Sequence, residues 1–313
     1  MPLNFRMEYL ITEWKWNAMR ILMIISLLTN AYGASEVRSA FDIGTGKIKM
    51  QVARVYEDHI DPLYCQAEQI SQFNEPLVNQ EGKITKEGQD RIVAVLKSLK
   101  SAGEGYGSMK WDAVATELFR TALNGQEIAQ NISALLNMEI KIISPEEEGI
   151  LSFLTIVQEA NLNPEEIVVL DIGSGSFQIT CKEGNQFLVY SAPFGRIPTH
   201  TLVKSNQLTN LKTALSSIDP RILRKIRDCK NGVIGIGAHP KQILQSQTVY
   251  DENDLKAALL ASAEVNINHT DLLLVKTIME SLSITQVEYK AALAGNTSGI
   301  FVFSNSISVV PTR

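Results

Sequence analysis

The chain has only three cysteines and four histidines in 313 residues. Three thiols cannot close a disulfide framework, because one is always left over. The spacings of Cys65, Cys181 and Cys229 match no metal motif. His59, His200, His239 and His269 are scattered and form no zinc-like cluster. A disulfide-stapled miniprotein and a Cys/His zinc site are therefore excluded. The thiols read instead as small buried hydrophobes, with room for a single bridge. A strong charge of either sign is also lacking: 29 basic and 34 acidic residues leave a net charge of −5. A weakly acidic chain argues against a nucleic-acid binder that relies on a basic face, so DNA is not an expected partner. Proline (10) and glycine (19) are too sparse for a collagen-like or disordered chain. Apolar residues make up 45%, enough for a sizeable core, and the length suggests two domains.

No apolar run is long enough to span a membrane. Ile21 to Leu28 has the length of a signal-peptide core, far below the roughly 20 residues of a spanning helix. Lys15 and Arg20 supply a positive flank, and Ala31-Tyr32-Gly33 offers a cleavage site before Ala34. Residues 1–33 therefore read as a targeting segment, with a buried N-terminal helix as the bland alternative. Met19-Arg20 would itself open a short signal, so the start of translation stays open. Cleavage would leave no stable membrane span and places the protein in the periplasm or outside the cell; a cytoplasmic location is the alternative.

One short motif occurs twice. Ala40-Phe41-Asp42-Ile43-Gly44-Thr45-Gly46 is an apolar strand entering a tight turn, and Ile48 to Val55 is a second strand. Val168-Val169-Leu170-Asp171-Ile172-Gly173-Ser174-Gly175-Ser176, followed by Phe177 to Thr180, repeats it. The copies lie about one domain apart, which points to a duplicated domain rather than a short solenoid repeat. The chemistry of such a turn is specific. The aspartate at the strand end is placed to hold a metal ion or its water. Glycines let the backbone N–H groups approach a ligand, and successive N–H groups form an anion nest. One copy alone reads as a glycine-rich hairpin turn. Two copies suggest loops facing each other across a cleft and gripping a phosphate. Gly232 to His239 is a third strand running into a glycine-rich turn.

The remaining pattern predicts two α/β halves that meet near Asn161-Leu162-Asn163-Pro164, giving domains over 36–160 and 161–313. In the first half strands are expected at 39–43, 48–56, 111–116 and 139–143, with helices at 85–101 and 125–136. Ser144-Pro145-Glu146-Glu147 opens a further helix, with serine as N-cap, proline in the first turn and acids at the positive end. The second half predicts strands at 167–172, 177–182, 187–191, 232–236 and 300–303. Its helices are expected at 198–215, 219–227, 251–263 and 271–282.

These residues resemble the exopolyphosphatase / guanosine pentaphosphate phosphohydrolase (Ppx/GppA) family, from Ala40 to about Phe303. Four stretches carry the resemblance: Asp42 to Gly46, Ala115-Thr116-Glu117-Leu118-Phe119-Arg120-Thr121-Ala122-Leu123-Asn124, Ile142 to Glu148, and Asp171 to Ser176. It implies an actin-like architecture of two ribonuclease-H-like domains facing across a phosphate-binding cleft. It implies hydrolysis of a phosphoanhydride, in inorganic polyphosphate or pppGpp, with magnesium as cofactor. Glu148 aligns with the general base that activates water, and Arg120 with an arginine that clamps phosphate. Asp42, Gly44, Thr45, Gly46, Lys47, Gly173, Ser174, Gly175, Ser176 and Gly237 fall at phosphate-binding positions, and Asp171 and Gln178 at metal-binding ones. Oligomeric state stays open, a homodimer included.

Several positions depart from the family pattern. Gln178 replaces a glutamate, which weakens magnesium binding or water positioning. Ser174 replaces a glycine. Gly149 and Ile150 replace a small residue and an arginine, and Lys47 replaces a shorter polar residue. Gly237-Ala238-His239 departs from the usual third turn. The longer members carry a C-terminal helical domain, so a two-domain form is expected here. These departures motivate a second reading, a phosphate-ligand binder without turnover. An ATP-using relative is a third, for which Ala294-Gly295-Asn296-Thr297-Ser298-Gly299 is a poor adenosine loop.

Overall fold

The computed structural model describes residues 35–306, apart from 57–58, 72–76, 230–231, 263–265 and 292–294. The expected targeting segment, 1–33, lies outside the described residues. The first half begins with β1 (Glu36–Ile43), β2 (Lys47–Val55) and β3 (Ile60–Gln69). Then come helix α1 (Lys86–Gly105), β4 (Lys110–Ala115), α2 (Glu117–Thr121), α3 (Gly125–Leu136) and β5 (Ile140–Ile142). These strands form a five-stranded sheet in the order β3-β2-β1-β4-β5. Apolar spacing fixes α1: Ile92, Val93, Leu96 and Leu99 fall on one buried stripe, and Thr85 caps its first turn by accepting from the N–H of Gly88. Burying each such side chain contributes about 1.5–3 kcal/mol.

The long helix α4 (Pro145–Ala160) leads into the second half. Ser144 and Glu147 close a capping box at its start, with Pro145 in the first turn, as the sequence predicts. After it come β6 (Val168–Ile172), β7 (Phe177–Glu183), β8 (Gln186–Ala192), α5 (Arg196–Lys204), α6 (Thr209–Leu215) and α7 (Pro220–Asp228). The half continues with β9 (Val233–Gly237), α8 (Lys241–Leu244), β10 (Val249–Asp251), α9 (Glu252–Ala261), α10 (Ile267–Leu282), β11 (Gln286–Tyr289) and α11 (Thr297–Ser306). The second sheet has six strands in the order β10-β11-β9-β6-β7-β8.

The duplication is written into the topology. β8-β7-β6-β9-β11 repeats β3-β2-β1-β4-β5 in order and in parallel or antiparallel sense, with β10 added at the edge. The register repeats too: Asp42 pairs with Lys49 across the first hairpin, and Asp171 pairs with Gln178 across the second.

Two helices separate the sheets. α11 packs on β1 and β2, α4 packs on β6, β7 and β8, and the two helices pack on each other. Phe301 and Leu151 lie in one apolar cluster of this layer, and Phe153 and Ile156 in the next. The approach of α4 to the second sheet is close. A Cβ at Gly149 would lie 2.7 Å from both Thr180 Oγ1 and Val189 Cγ1. Glycine is therefore the residue that lets the first turn of α4, and Glu148 with it, reach the second domain.

Some expectations change. Residues 300–303 are helical, not a strand. Their β-branched and aromatic character suits a strand locally, but packing against α4 decides the outcome. A Cβ at Gly299 would fall 2.1 Å from the Leu151 carbonyl oxygen, so the helices meet at the backbone. The single helix expected over 198–215 is two, broken after Lys204 where Asn206 takes a positive φ of 57°. β3, β10 and β11 went unread because they are edge or short strands; β3 carries Pro62 and pairs with β2 through an irregularity near Val52. Cys65, Cys181 and Cys229 are all free thiols, and burial pushes Cys181 up to about 12.

Candidate active site

The two glycine loops face each other across a cleft of about 340 Å³ between the sheets. Contact is direct: a Cβ at Gly46 would lie 2.5 Å from Ser174 Oγ, and one at Gly175 would lie 3.0 Å from Thr45 Oγ1. The carbonyls of both loops are engaged away from each other. Gly46 O accepts from Ile70 N–H and Thr45 O from the Ser71 hydroxyl. Gly173, Ser174 and Gly175 carbonyls accept from Arg196, Ile197 and Gly195 N–H at the start of α5. Because each peptide is planar and trans, the N–H that follows a carbonyl points the opposite way. The N–H groups of Gly46, Lys47, Ser174, Gly175 and Ser176 are thereby turned from those partners, as in an anion nest. Thr45 Oγ1 is buried with no hydrogen-bond partner among the described residues. An orphaned hydroxyl on a cleft wall is a place for a ligand oxygen.

Gly237 closes the floor. Its φ is +81°, and a Cβ there would lie 2.4 Å from Ile172 O and 2.8 Å from Asp171 Oδ1. Ala238 N–H donates to Ile172 O at 2.7 Å, tying the third turn to the second loop. His239 follows, buried, with Nδ1 on the Tyr250 hydroxyl; burial pushes it down to about 4, so its imidazole is neutral near pH 7.

Glu148 lies on the cleft wall at the first turn of α4 and is 8% exposed. Its Oε2 accepts from Arg120 Nη2 at 2.7 Å. Burial pushes its carboxyl up to about 7; Arg120 pulls it down, while the Asp42 and Asp171 charges push it further up. A carboxylate balanced near pH 7 suits general-base work. Arg120 has two further partners: Nη2 also donates to Glu117 Oε2 at 2.9 Å, and Nη1 to the Ile143 carbonyl at 2.9 Å. The sequence expects Arg120 to clamp phosphate. In the structure it is not among the residues lining this cleft; it lines an adjoining pocket that shares Glu117 and Ser176 with the cleft, and it fixes the Glu148 carboxylate.

The cations on the wall are others. Lys47, Lys49, Arg196 and Lys241 all line the cleft. Lys47 is lowered by partial burial, and the charges of Lys241, Lys49 and Arg196 lower it further. Arg196 is held by two hydrogen bonds to the fully buried Asp271, at 2.9 and 2.6 Å. At the floor Lys49 Nζ lies 3.5 Å from Asp42 Oδ2. Asp171 Oδ2 takes the Ser152 hydroxyl, and Ser152 Oγ lies 2.6 Å from Asn296 Oδ1. Burial raises Asp171 against the pull of Lys49.

Of the residues singled out from sequence, Asp42, Gly44, Thr45, Gly46, Lys47, Glu148, Asp171, Gly173, Ser174, Gly175, Ser176 and Gly237 meet on this one cleft. Arg120 and Gln178 do not line it. Gln178 is 1% exposed, and its amide donates to the hydroxyls of Ser176 and Ser191 at 3.1 and 3.2 Å. Sequence reasoning missed Lys49, Glu117, Arg196, Lys241, Tyr289 and Asn296. The repeat itself holds a signal for Lys49, since it stands where Gln178 stands in the second copy. Gly295 and Asn296, dismissed as part of a poor nucleotide loop, also line the cleft.

The place beside Asp42 already holds the Lys49 ammonium, which does not suit a resident magnesium ion. Magnesium takes oxygen ligands in an octahedron, usually one or two carboxylates with waters and phosphates. Gln178 does not line the cleft and its Nε2 donates to two serine hydroxyls, Asp171 Oδ2 takes the Ser152 hydroxyl, and Asp42 Oδ2 already faces an ammonium. Among the described residues no group of three or more His, Cys, Asp or Glu side chains is arranged to hold a metal.

Matched half-sheets, each ending a central strand in an aspartate and a glycine loop over a shared cleft, define a two-domain protein of the actin-like class. The chain belongs to the Ppx/GppA phosphatase family, whose profile matches residues 51–313. It is 27% identical to exopolyphosphatase 1 of Mycobacterium tuberculosis over 99 residues, which is 32% of this chain and 29% of that protein. The chain thus spans under a third of that curated relative. The PPX-GPPA enzyme of Aquifex aeolicus superposes with a TM-score of 0.65 at 17% identity, covering 86% of this chain and 99% of the other. An exopolyphosphatase from Cytophaga hutchinsonii gives 0.61 at 16% identity, covering 86% and 98%. These two similarities show the fold. Among the described residues no helix is long and apolar enough to cross a membrane.

Proposed function

We propose that the protein hydrolyses the terminal phosphoanhydride bond of inorganic polyphosphate or pppGpp. One observation carries the reading: a buried carboxylate, Glu148, stands on the wall of a cleft built from two phosphate-type loops, with one of its oxygens fixed by Arg120. The loops' N–H groups and Thr45 Oγ1 hold the terminal phosphoryl group. Lys47, Arg196 and Lys241 meet the rest of the polyanion. Glu148 takes a proton from water, the water oxygen bonds to the terminal phosphorus, and the bridging P–O bond breaks. The electron pair leaves on the shortened phosphate chain, whose low basicity needs no proton at that moment. Positioning and fixed charge supply most of the acceleration in such a reaction. The extracytoplasmic location read from residues 1–33 favours polyphosphate as the natural substrate.

The test is phosphate release from polyphosphate and from pppGpp by wild type and Glu148→Gln. Release by wild type that the substitution abolishes supports the reading. Binding of both compounds without release overturns it in favour of a non-hydrolysing phosphate binder.

A further inference from the structure

The repeat has one asymmetry with chemical weight. In each copy the residue seven places after the aspartate lies directly across the hairpin from it. In the second copy that residue is Gln178, whose amide is turned onto two serine hydroxyls and off the cleft. In the first copy it is Lys49, which lines the cleft with its Nζ 3.5 Å from Asp42 Oδ2. The ammonium is not loose: a Cβ at Gly295 would fall 2.3 Å from Nζ and 2.8 Å from Asp42 Oδ2, so the backbone closes over the pair. Gly295 has a φ of +65°, the conformation that permits this approach. Asn296 N–H, at 3.5 Å, faces the same Asp42 oxygen. Asp42 is 5% exposed, so its charge lacks a full water shell and depends on a cation beside it.

We propose that Lys49 is the built-in cation of the catalytic floor, standing where a divalent metal would otherwise serve, so that this chain hydrolyses its substrate without magnesium. The inference rests on the hydrolase reading above. An ammonium held by Asp42, with Asp171 nearby, neutralises the floor and presents positive charge to the terminal phosphoryl group. Fixed in place before the reaction, it costs no reorganisation in the transition state. A divalent ion entering the same place would meet Lys49 as a like charge. Substrate phosphates bring negative charge, and Lys47, Arg196 and Lys241 stand at the same cleft to receive it.

The experiment compares wild type, Lys49→Met and Lys49→Arg. Phosphate release from polyphosphate is measured in excess EDTA and in Mg²⁺, alongside thermal melts in the same two buffers without substrate. The proposal expects the wild type to release phosphate equally in both buffers and to show no Mg²⁺-dependent change in Tm. Lys49→Met should lose about 10²- to 10³-fold in EDTA, the effect of removing one preorganised charge partner. It should recover activity in Mg²⁺, and its Tm should rise with the ion. Lys49→Arg, which keeps the charge, should restore part of the activity that Lys49→Met loses in EDTA. Wild-type activity that vanishes in EDTA and returns with Mg²⁺ overturns the inference and leaves the hydrolase reading standing. If no buffer gives release, the hydrolase reading fails, and the melts still decide the cation claim. A Mg²⁺-induced Tm rise in the wild type as large as in Lys49→Met overturns it.

Discussion

Arg120 Nη2 lies 2.7 Å from Glu148 Oε2 and 2.9 Å from Glu117 Oε2, so one guanidinium nitrogen ties together two carboxylates from different helices. Glu117 and Arg120 share the short helix after β4, and Glu148 opens the long helix that crosses to the second domain. The candidate base is thus positioned by the first domain's own motif. Removing the arginine should leave a buried carboxylate without its partner. Arg120→Met should move the acidic limb of the pH profile to higher pH, because the charge that pulls Glu148 down is gone, and should lower kcat more than it raises KM. Arg120→Lys should restore part of the shift. A pH-independent loss would mean that Arg120 acts by another route.

Glu148 itself sets a pH dependence. With its carboxyl near 7, kcat/KM should rise as pH increases through about 7 and then level off. Stability should move the other way. The folded pKa lies above the ordinary value of 4.5, so the protonated form is the favoured one in the fold. That stabilisation is complete below about pH 4.5 and is lost as pH rises through about 7, by up to about 3 kcal/mol. Glu148→Gln cannot ionise, so its Tm at pH 8 should exceed that of the wild type, while the two converge at pH 5.

Gly237 holds a backbone conformation that other residues resist, against the Ile172 carbonyl. Gly237→Ala should cost about 1–3 kcal/mol through strain and overpacking. It should also displace the third turn from the second loop, raising KM for polyphosphate. Denaturant melts and steady-state kinetics check both effects.

Asp271 is fully buried, while Arg196 keeps part of its side chain in water. Asp271→Ala should therefore destabilise by about 3 kcal/mol, the lower end of the cost of breaking a buried ion pair. Arg196 then swings free of the helix start that supports residues 173–175, so KM should rise together with the loss of stability. Asp271→Asn, which keeps one acceptor, should lose less of both.

The duplicated core was legible because its signals are local. An apolar strand, an aspartate and a glycine turn recur with the same composition, and the capping box at Ser144 is explicit in four residues. The phosphate loops of the site followed from the same motif. What stayed hidden depends on tertiary contact. Residues 300–303 have strand-like composition and become a helix because Gly299 lets them pack on Leu151. Arg196 and Lys241 are ordinary surface cations in the sequence, and only the start of α5 and the turn after β9 bring them to the cleft. The sequence reads Gln178 as a weakened metal ligand, yet Ser191 on the neighbouring strand takes its amide N–H. Lys49 was hidden differently: its register with Asp42 was written in the repeat, but its meaning needed the opposing domain.

The most direct measurement is the release of inorganic phosphate from polyphosphate and pppGpp by the purified protein, beside Glu148→Gln. The structure predicts steady release by the wild type and a loss of at least about 10²-fold on substitution, the contribution of a general base. Equal release by both proteins would contradict the assignment of Glu148, and no release by either would contradict the hydrolase itself.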